Sequence, residues 1–262
     1  MTHDRVIQVT VSAGVATLTL DSPANRNALS KAMRAQLRSA LTDALADDAV
    51  RVVVLDHTGR VFCSGMDLAE AAGGSSDDQG VREFPELLQL LWSSPKPVVA
   101  VVRGPARAGG VGLAAACDVV VAASSASFAF SEVRLGLVPA VISAVVLPRM
   151  TTHVAHRLML TGEVFDAATA AAGGLVDLVA EPDRLDDVVA GQLTALAAGA
   201  PGALAETKRL LRSRQPDLVF GDLLALSARF FAGEEGQEGI ASFREKRPAR
   251  WVPATGSGSL PR

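Results

Sequence analysis

Three short, almost entirely apolar segments constrain the fold of this chain more than any other feature. Residues 51–55, 97–102 and 119–122 each have the pattern of a strand, and helical patterns lie between them. Strands that lack polar alternation are typical of parallel sheets buried on both faces. The repeated order of strand, helix and strand therefore predicts an α/β fold.

The N-terminal part of the chain adds a hairpin and an amphipathic helix. Residues 6–11 and 15–20 flank Ala13-Gly14 and predict a β-hairpin. Ser30 is a suitable N-cap for a helix with an apolar stripe and a separate polar face. The stripe consists of Met33, Leu37, Leu41 and Leu45, and the polar residues outside it are Lys31, Arg34, Arg38 and Asp43.

The C-terminal third is predicted to be helical. Strand signals fade after Asp166, and the helical patterns cover residues 185–196, 203–211, 218–231 and 238–246. We therefore divide the chain into a core over residues 1–195, a helical region for oligomerisation over 196–253, and a disordered tail over 254–262. Residues 71–80 have the composition of a flexible loop.

Composition excludes several classes of protein. The 262 residues are 49% hydrophobic, enough for a large core, and a formal net charge of −3 without a basic stripe argues against nucleic acid. We find neither a signal-peptide core nor an apolar run of about 18 residues, so no membrane partner is expected. Cys63 and Cys117 are too few for a disulfide framework, so a cytoplasmic protein with buried thiols is expected.

Two glycine-containing segments predict backbone donor sites. Gly109, Gly110 and Gly112 open a helix of small residues, so backbone N–H groups at its positive end can face a ligand oxygen. Gly65 lies in a turn after the strand at 51–55. One carboxylate, Glu132, follows the next strand-like run. Backbone donors plus one acid/base group suffice for chemistry next to a carbonyl.

Five motifs together resemble the enoyl-CoA hydratase/isomerase family, also called the crotonase family. They are Asn25–Leu29, Val61–Leu68, Gly104–Asp118, Ser131–Glu132 with Leu135–Pro139, and Glu238–Arg247, in the family's order. The resemblance implies a crotonase-type spiral of ββα repeats with two perpendicular sheets. It also implies a homotrimer or hexamer assembled through C-terminal helices, and the apolar residues in 223–231 suit such an interface.

The same resemblance implies an acyl-CoA site. Met66 and Gly109 would donate backbone N–H groups to the thioester oxygen, and Glu132 would be the acid/base. Physical chemistry agrees, since two fixed donors stabilise the charge on a thioester enolate. The residues implied for substrate and CoA binding are Arg26, Ala28, Ser64, Gly65, Asp67, Leu68, Gly110, Gly112, Pro139 and Lys246. The substrate is a coenzyme A thioester, and no metal or further cofactor is implied.

Departures from the family pattern leave the reaction open. Hydratases with two catalytic carboxylates carry one of them at the position of Gly112, and only Glu132 is kept here. Ala108 replaces the first residue of a common Gly-Gly-Gly, and Ala140–Ser143 replaces a glycine-rich turn. The run Ser131–Ser143 is similar to members that hydrate a branched 2-enoyl-CoA such as methylglutaconyl-CoA. Hydration through one glutamate, 3-enoyl to 2-enoyl isomerisation, and acyl-CoA binding without catalysis all fit these residues.

Other interpretations of the same residues compete with this one. Residues 110–115 fit a loose dinucleotide fingerprint, although several strands precede them. His153 and His156 have a metal-ligand spacing but no third ligand, so we expect surface histidines. Glu132 could pair with Arg134 or Arg107. Asp118 precedes a buried strand and is expected to accept structural hydrogen bonds.

Overall fold

The computed structural model describes residues 5–67, 70, 83–212, 229 and 233–252, without the side chains of Phe243 and Arg244. Its strands are β1 (Ile7–Ser12), β2 (Val15–Leu20), β3 (Val52–His57), β4 (Val98–Val102), β5 (Ala106–Arg107), β6 (Val119–Ala123), β7 (Ser127–Ala129), β8 (Phe165–Asp166) and β9 (Leu178–Ala180). Its helices are α1 (Lys31–Ala46), α2 (Glu83–Ser93), α3 (Gly109–Ala116), α4 (Ala140–Val146), α5 (Thr152–Thr161), α6 (Ala167–Ala172), α7 (Leu185–Ala197), α8 (Pro201–Arg212) and α9 (Glu234–Glu245). Short 3₁₀ helices cover Pro23–Asn25 and Ser131–Leu135.

The strands form two sheets. The larger has the order β1-β2-β3-β4-β6-β9, in which β1 pairs antiparallel with β2 and the remaining neighbours are parallel. The smaller has the order β5-β7-β8, with β5 parallel to β7. The mixed α/β architecture confirms the α/β fold predicted from the apolar segments.

The central strands of the larger sheet are buried on both faces. Val53 and Leu55 of β3 belong to one apolar cluster, packed under α1 and α2, while Val52 and Val54 belong to a second. Successive side chains of a strand point to opposite faces, so both faces need apolar residues. The second cluster is covered by α7 through its own stripe of Leu185, Val189, Leu193 and Ala197. This two-sided burial confirms the interpretation of the apolar segments.

The predicted N-terminal elements are confirmed. The hairpin pairs residue for residue from Ile7 with Leu20 to Ser12 with Val15. Ser30 caps α1 by accepting a hydrogen bond from the Met33 N–H at 3.2 Å. Arg34, predicted on the polar face, is instead 3% exposed, because it faces α2 rather than solvent.

The C-terminal third is less uniformly helical than predicted. Helices α7, α8 and α9 confirm three of the expected segments, whereas β9 is a strand in a region where none was expected. It is too short to show a periodic pattern. The predicted helix at 218–231, the loop at 71–80 and the tail at 254–262 lie outside the described residues, apart from Arg229.

No single helix in the described part of the chain has the length and apolar composition to cross a membrane. Helices α7 and α8 would pass that test only together, across a bend of 106°.

Candidate functional site

The loop after β3 carries the first predicted donor. Leu29 and Met66 form an isolated parallel bridge, and the Leu29 N–H donates to the Gly65 carbonyl at 2.8 Å. The carbonyl and the N–H of one trans peptide point in opposite directions, so the Met66 N–H points away from Leu29. Gly65 has a φ of +91°, which only glycine adopts without strain. The Met66 N–H makes no backbone hydrogen bond to the described residues.

The start of α3 carries the second donor. Gly109 is the first residue of this helix, so its N–H lacks an intrahelical acceptor. The Ala108 carbonyl behind it accepts from the Val111 and Gly112 N–H groups at 2.9 and 3.2 Å. Ala108 has a φ of 47° and a ψ of −116°, an unusual conformation for a residue with a side chain. This turn leads the chain from β5 into the helix.

The two donor loops, which are the loop after β3 that carries Met66 and the turn into α3 that carries Gly109, are in direct contact. A Cβ atom on Gly65 would lie 3.5 Å from the Gly109 nitrogen and 3.1 Å from the Ala108 Cβ atom. One on Gly110 would lie 2.4 Å from the Cys63 carbonyl oxygen. The two glycines therefore permit a close approach that larger residues would prevent. Since Gly110 serves this packing, the dinucleotide interpretation of the same segment loses its main support.

Glu132 and Gly109 both follow the carboxyl ends of strands in the smaller sheet. Strands β5 and β7 are parallel, with Arg107 opposite Ala129, and the Ala108 N–H donates to the Ala129 carbonyl at 2.9 Å. The chain leaves both strands at their carboxyl ends, towards Gly109 on one side and Glu132 on the other. Glu132 lies in the 3₁₀ helix Ser131–Leu135 that begins there.

One oxygen of the half-buried Glu132 carboxylate has no partner. Its Oε2 atom is inaccessible to solvent and has no hydrogen-bond partner. Burial raises the pKa of this carboxyl above its usual range, because the charged form loses hydration. Arg134 donates to the Thr161 carbonyl and Arg107 to the Ser127 carbonyl, so neither is the ion-pair partner considered from sequence.

Gly112 faces an apolar side chain. A Cβ atom on Gly112 would lie only 2.5 Å from Ile142 Cγ2 and 3.7 Å from Phe84 Cζ. Ile142 belongs to α4, which begins directly after Pro139, and is 2% exposed. The space above Gly112 is thus filled by Ile142, and a second carboxylate has no room at this position.

Most other predicted binding residues cluster around the first donor loop. The Ser64 N–H donates to the Arg26 carbonyl at 3.1 Å, and Ala28 is the buried neighbour of Leu29. Arg26 itself is exposed. Asp67 directly follows Met66, while Leu68 lies outside the described residues.

Lys246 stands apart from this cluster. It is exposed, follows α9, and has a φ of 55°. In the described residues it makes no hydrogen bond or ion pair with the other predicted site residues.

Two residues, Asn27 and Arg34, support the donor loops, and this role was not predicted from the sequence for either of them. Asn27 is fully buried, and its amide donates to the Thr58 and Val61 carbonyls at 3.0 and 2.8 Å, which ties the segment before Ala28 to the loop after β3. Arg34 donates to the Leu29 carbonyl and pairs with Glu83 at 3.1 Å. The spacing of Arg34 with Leu37 and Leu41 places all three on one helix face, a signal that could have identified it.

The remaining candidate groups are structural. Asp118 accepts from the Val98 N–H at 2.8 Å and pairs with Lys208 and Arg212, as expected of a structural acceptor. Burial raises the thiol pKa of Cys63 and of Cys117 to about 12, so neither is a nucleophile.

The two histidines of the considered metal site lie on the surface. His153 and His156 are both exposed on α5. The residues that the structure describes contain no group of three or more metal-ligating side chains.

Comparison with known proteins shows which family this chain is similar to. The family model for enoyl-CoA hydratase/isomerase matches residues 10–253. The chain is 33% identical to the mitochondrial enoyl-CoA hydratase domain-containing protein 3 of Rattus norvegicus over 91% of this chain and 81% of that protein. Among solved structures, an enoyl-CoA hydratase from Mycobacterium smegmatis superposes with a TM-score of 0.88 at 32% identity, covering 95% of this chain and 99% of the other. One from Mycobacterium avium is 41% identical, with a TM-score of 0.73 and coverage of 95% and 99%. The chain belongs to the enoyl-CoA hydratase/isomerase family.

Proposed function

We propose that this protein hydrates a 2-enoyl-CoA to a 3-hydroxyacyl-CoA through two backbone donors and one glutamate. The observation that carries the proposal is the half-buried carboxylate of Glu132, whose Oε2 atom has no hydrogen-bond partner, at the end of the smaller sheet where Gly109 also lies. A carboxylate oxygen that no structural group holds can move protons, and the raised pKa makes this carboxylate a stronger base than an exposed one.

In the proposed reaction, the thioester carbonyl accepts hydrogen bonds from the Met66 and Gly109 N–H groups. Glu132 takes a proton from water, and the water oxygen bonds to the β carbon. The electron pair of the double bond moves to the thioester, so negative charge develops on its oxygen, where the two donors stabilise it. Glu132 then delivers the proton to the α carbon. One water is added, and the glutamate is ionised again.

The packing of Gly112 favours a second candidate reaction. Because Ile142 fills the space above Gly112, water has no second carboxylate to hold it. A single carboxylate suits the isomerisation of a 3-enoyl-CoA to a 2-enoyl-CoA, in which Glu132 removes the α proton and returns it to the γ carbon. The same two donors would stabilise the intermediate enolate.

The substrate would be held through its CoA portion by the segment around Arg26, Ala28 and Ser64, and its phosphates by the exposed cations Arg26 and Lys246. A branched acyl group, a homotrimer or hexamer, and a cytoplasmic location remain part of this proposal.

Product analysis tests the function. Purified protein is incubated with short straight-chain and branched 2-enoyl-CoA and 3-enoyl-CoA thioesters in heavy-oxygen water, and products are identified by mass spectrometry. Incorporation of heavy oxygen supports hydration, whereas a shifted double bond without it supports isomerisation. Binding without any product would indicate an acyl-CoA-binding protein without catalysis. Glu132→Gln should remove either activity, and Glu86→Gln, on the exposed face of α2, serves as the matched control.

A further inference from the structure

We propose that Arg34 is a positioning residue that sets the spacing between the Met66 and Gly109 donors, an inference that rests on the proposed function. Arg34 lies on α1 and is 3% exposed, which is unusual for a charged side chain. It does not reach the substrate in this role. It acts through the segments that carry the donors.

The first connection runs to the Met66 loop. Arg34 Nη1 donates to the Leu29 carbonyl oxygen at 2.5 Å. Leu29 in turn donates its N–H to the Gly65 carbonyl and forms the parallel bridge with Met66. The Gly65–Met66 peptide is therefore held by a residue whose own carbonyl is fixed by a buried cation.

The second connection runs to the start of α3. Arg34 Nε lies 3.1 Å from Oε2 of Glu83, the first residue of α2. The next residue, Phe84, is 4% exposed, and its ring lies 3.3 Å from where a Cβ atom on Gly109 would be. The ion pair thus fixes the end of α2 that packs against Gly109.

Both connections meet in one planar guanidinium. Its fork of N–H groups has fixed directions, so two acceptors on different segments are held at a defined separation. A lysine ammonium would lack this geometry. Misplacing a reacting group by 1 Å can reduce a rate by about a hundredfold, so a residue that sets the donor spacing affects the chemistry without touching substrate.

Acetoacetyl-CoA provides a direct probe of the donors. This β-ketoacyl thioester ionises to an enolate whose negative charge is shared by the ketone and thioester oxygens, and the enolate absorbs in the near ultraviolet. Two well-placed N–H groups promote its ionisation on binding. We would titrate parent, Arg34→Met and Arg38→Met proteins with acetoacetyl-CoA and record the enolate absorbance. Free CoA, which has no acyl carbonyl, is titrated in parallel.

Arg38 is the matched control. It pairs with Glu86 at 3.2 Å and so joins the same two helices one turn further on, where both side chains are largely exposed. We expect Arg34→Met to weaken binding of the enolate about ten- to hundredfold while CoA affinity stays within about twofold. Arg38→Met should leave both unchanged.

Equal enolate binding by Arg34→Met and parent would overturn the positioning role while leaving the donor site intact. Failure of the parent to ionise acetoacetyl-CoA would instead show that the Met66 and Gly109 N–H groups do not form the donor site. The positioning role of Arg34 would then be rejected as well. If Arg34→Met does not fold, the partners of the two arginines on α2 are changed instead. Glu83→Gln then replaces Arg34→Met, and Glu86→Gln replaces the Arg38→Met control. Glu83→Gln should then lower enolate binding more than Glu86→Gln, and no difference between them would also reject the proposal.

Discussion

The Cγ2 atom of Ile142 lies 2.5 Å from the position that a Cβ atom on Gly112 would take. A substitution at Gly112 must therefore displace Ile142 or the helix that carries it. The branched side chain of Ile142 on α4 can pack where it does because residue 112 on α3 is a glycine and has no Cβ atom.

The first prediction uses this pair. Gly112→Ala should destabilise the fold by about 1–3 kcal/mol through overpacking, although alanine normally favours a helix interior. Gly191→Ala on α7, where nothing lies within 4 Å of the added Cβ, should stabilise the fold by about 0.5–1 kcal/mol. Urea unfolding measures both. Gly112→Ala should cost less stability when it is made in an Ile142→Ala background than in the parent, and a purely additive double variant would contradict the coupling.

The second prediction concerns Glu132. Glu132→Gln should lower turnover by about 10²–10⁴-fold with acyl-CoA affinity nearly unchanged, since the amide keeps the shape but cannot accept the proton. Its thermal midpoint should rise, because a half-buried charged group with one unpartnered buried oxygen is removed. Steady-state kinetics and thermal melts check the two effects. A variant that keeps near-parent rates on every active thioester would show that another group is the base.

The pH profile provides a third prediction. The proposed chemistry needs ionised Glu132, and burial raises the pKa of this carboxyl above the ordinary glutamate value of 4.5. Turnover should therefore fall as pH decreases through this raised pKa, at a higher pH than an ordinary glutamate would give. Rate measurements across the acidic range, at constant ionic strength, provide the profile. A fall only at the pKa of an exposed carboxyl would argue against Glu132 as the base.

The fourth prediction concerns the backbone at Ala108. Its φ of 47° and ψ of −116° cost a residue with a Cβ atom about 1–3 kcal/mol. Ala108→Gly should raise the unfolding free energy by about 1 kcal/mol, after the greater freedom of glycine in the unfolded chain is subtracted. Ala13→Gly, in the hairpin turn at a φ of 49°, is the matched control and should gain less. A loss of stability in Ala108→Gly would show that this conformation carries no strain.

The fifth prediction concerns His57 and stability at low pH. His57 is 6% exposed, its Nε2 accepts from the Arg103 N–H at 3.2 Å, and its Nδ1 lies 3.2 Å from the Thr58 carbonyl. Burial lowers the pKa of this imidazole below 6.5, opposed in part by the neighbouring Asp56. The unfolded chain therefore binds a proton at higher pH than the folded one does.

The contribution of His57 to the free energy of unfolding should therefore be fully present above the pKa of histidine in the unfolded chain. It should be lost progressively as pH falls below about 6.5. Urea midpoints at several pH values measure this decline in the parent. In His57→Gln the decline should be shallower, whereas His153→Gln, which alters an exposed histidine, should behave like the parent. An identical slope in all three proteins would rule out His57 as its origin.

The sequence allowed the large sheet to be predicted, and the reason is physical. The strands around Val53, Ala100 and Val121 are buried on both faces, so their apolar character is visible without any tertiary information. β9 could not be found in this way, because a strand of three residues is too short to show a period and exists through its pairing with β6.

The candidate site was predictable only in part. Gly65, Gly109 and Glu132 stand out through their places in the five motifs that resemble the family, since a glycine or a carboxylate alone is a weak signal in a chain with 23 glycines. The role of Ile142 depends on where α4 packs, which local sequence does not determine. Arg34 was placed on the polar face because a charged residue is normally solvated, and its burial depends on Glu83, which lies far along the chain.

The peptide of Gly65 and Met66 has a consequence for how such a protein can diversify. Its N–H belongs to the main chain, and mutations replace side chains while leaving the peptide group in place. In the proposed site, the residues that line the acyl pocket can therefore change one by one, and the substrate can change with them, while this proposed donor to the thioester oxygen is inherited intact. What evolution must preserve is the conformation at Gly65, with its φ of +91°, and not the chemical identity of residue 66.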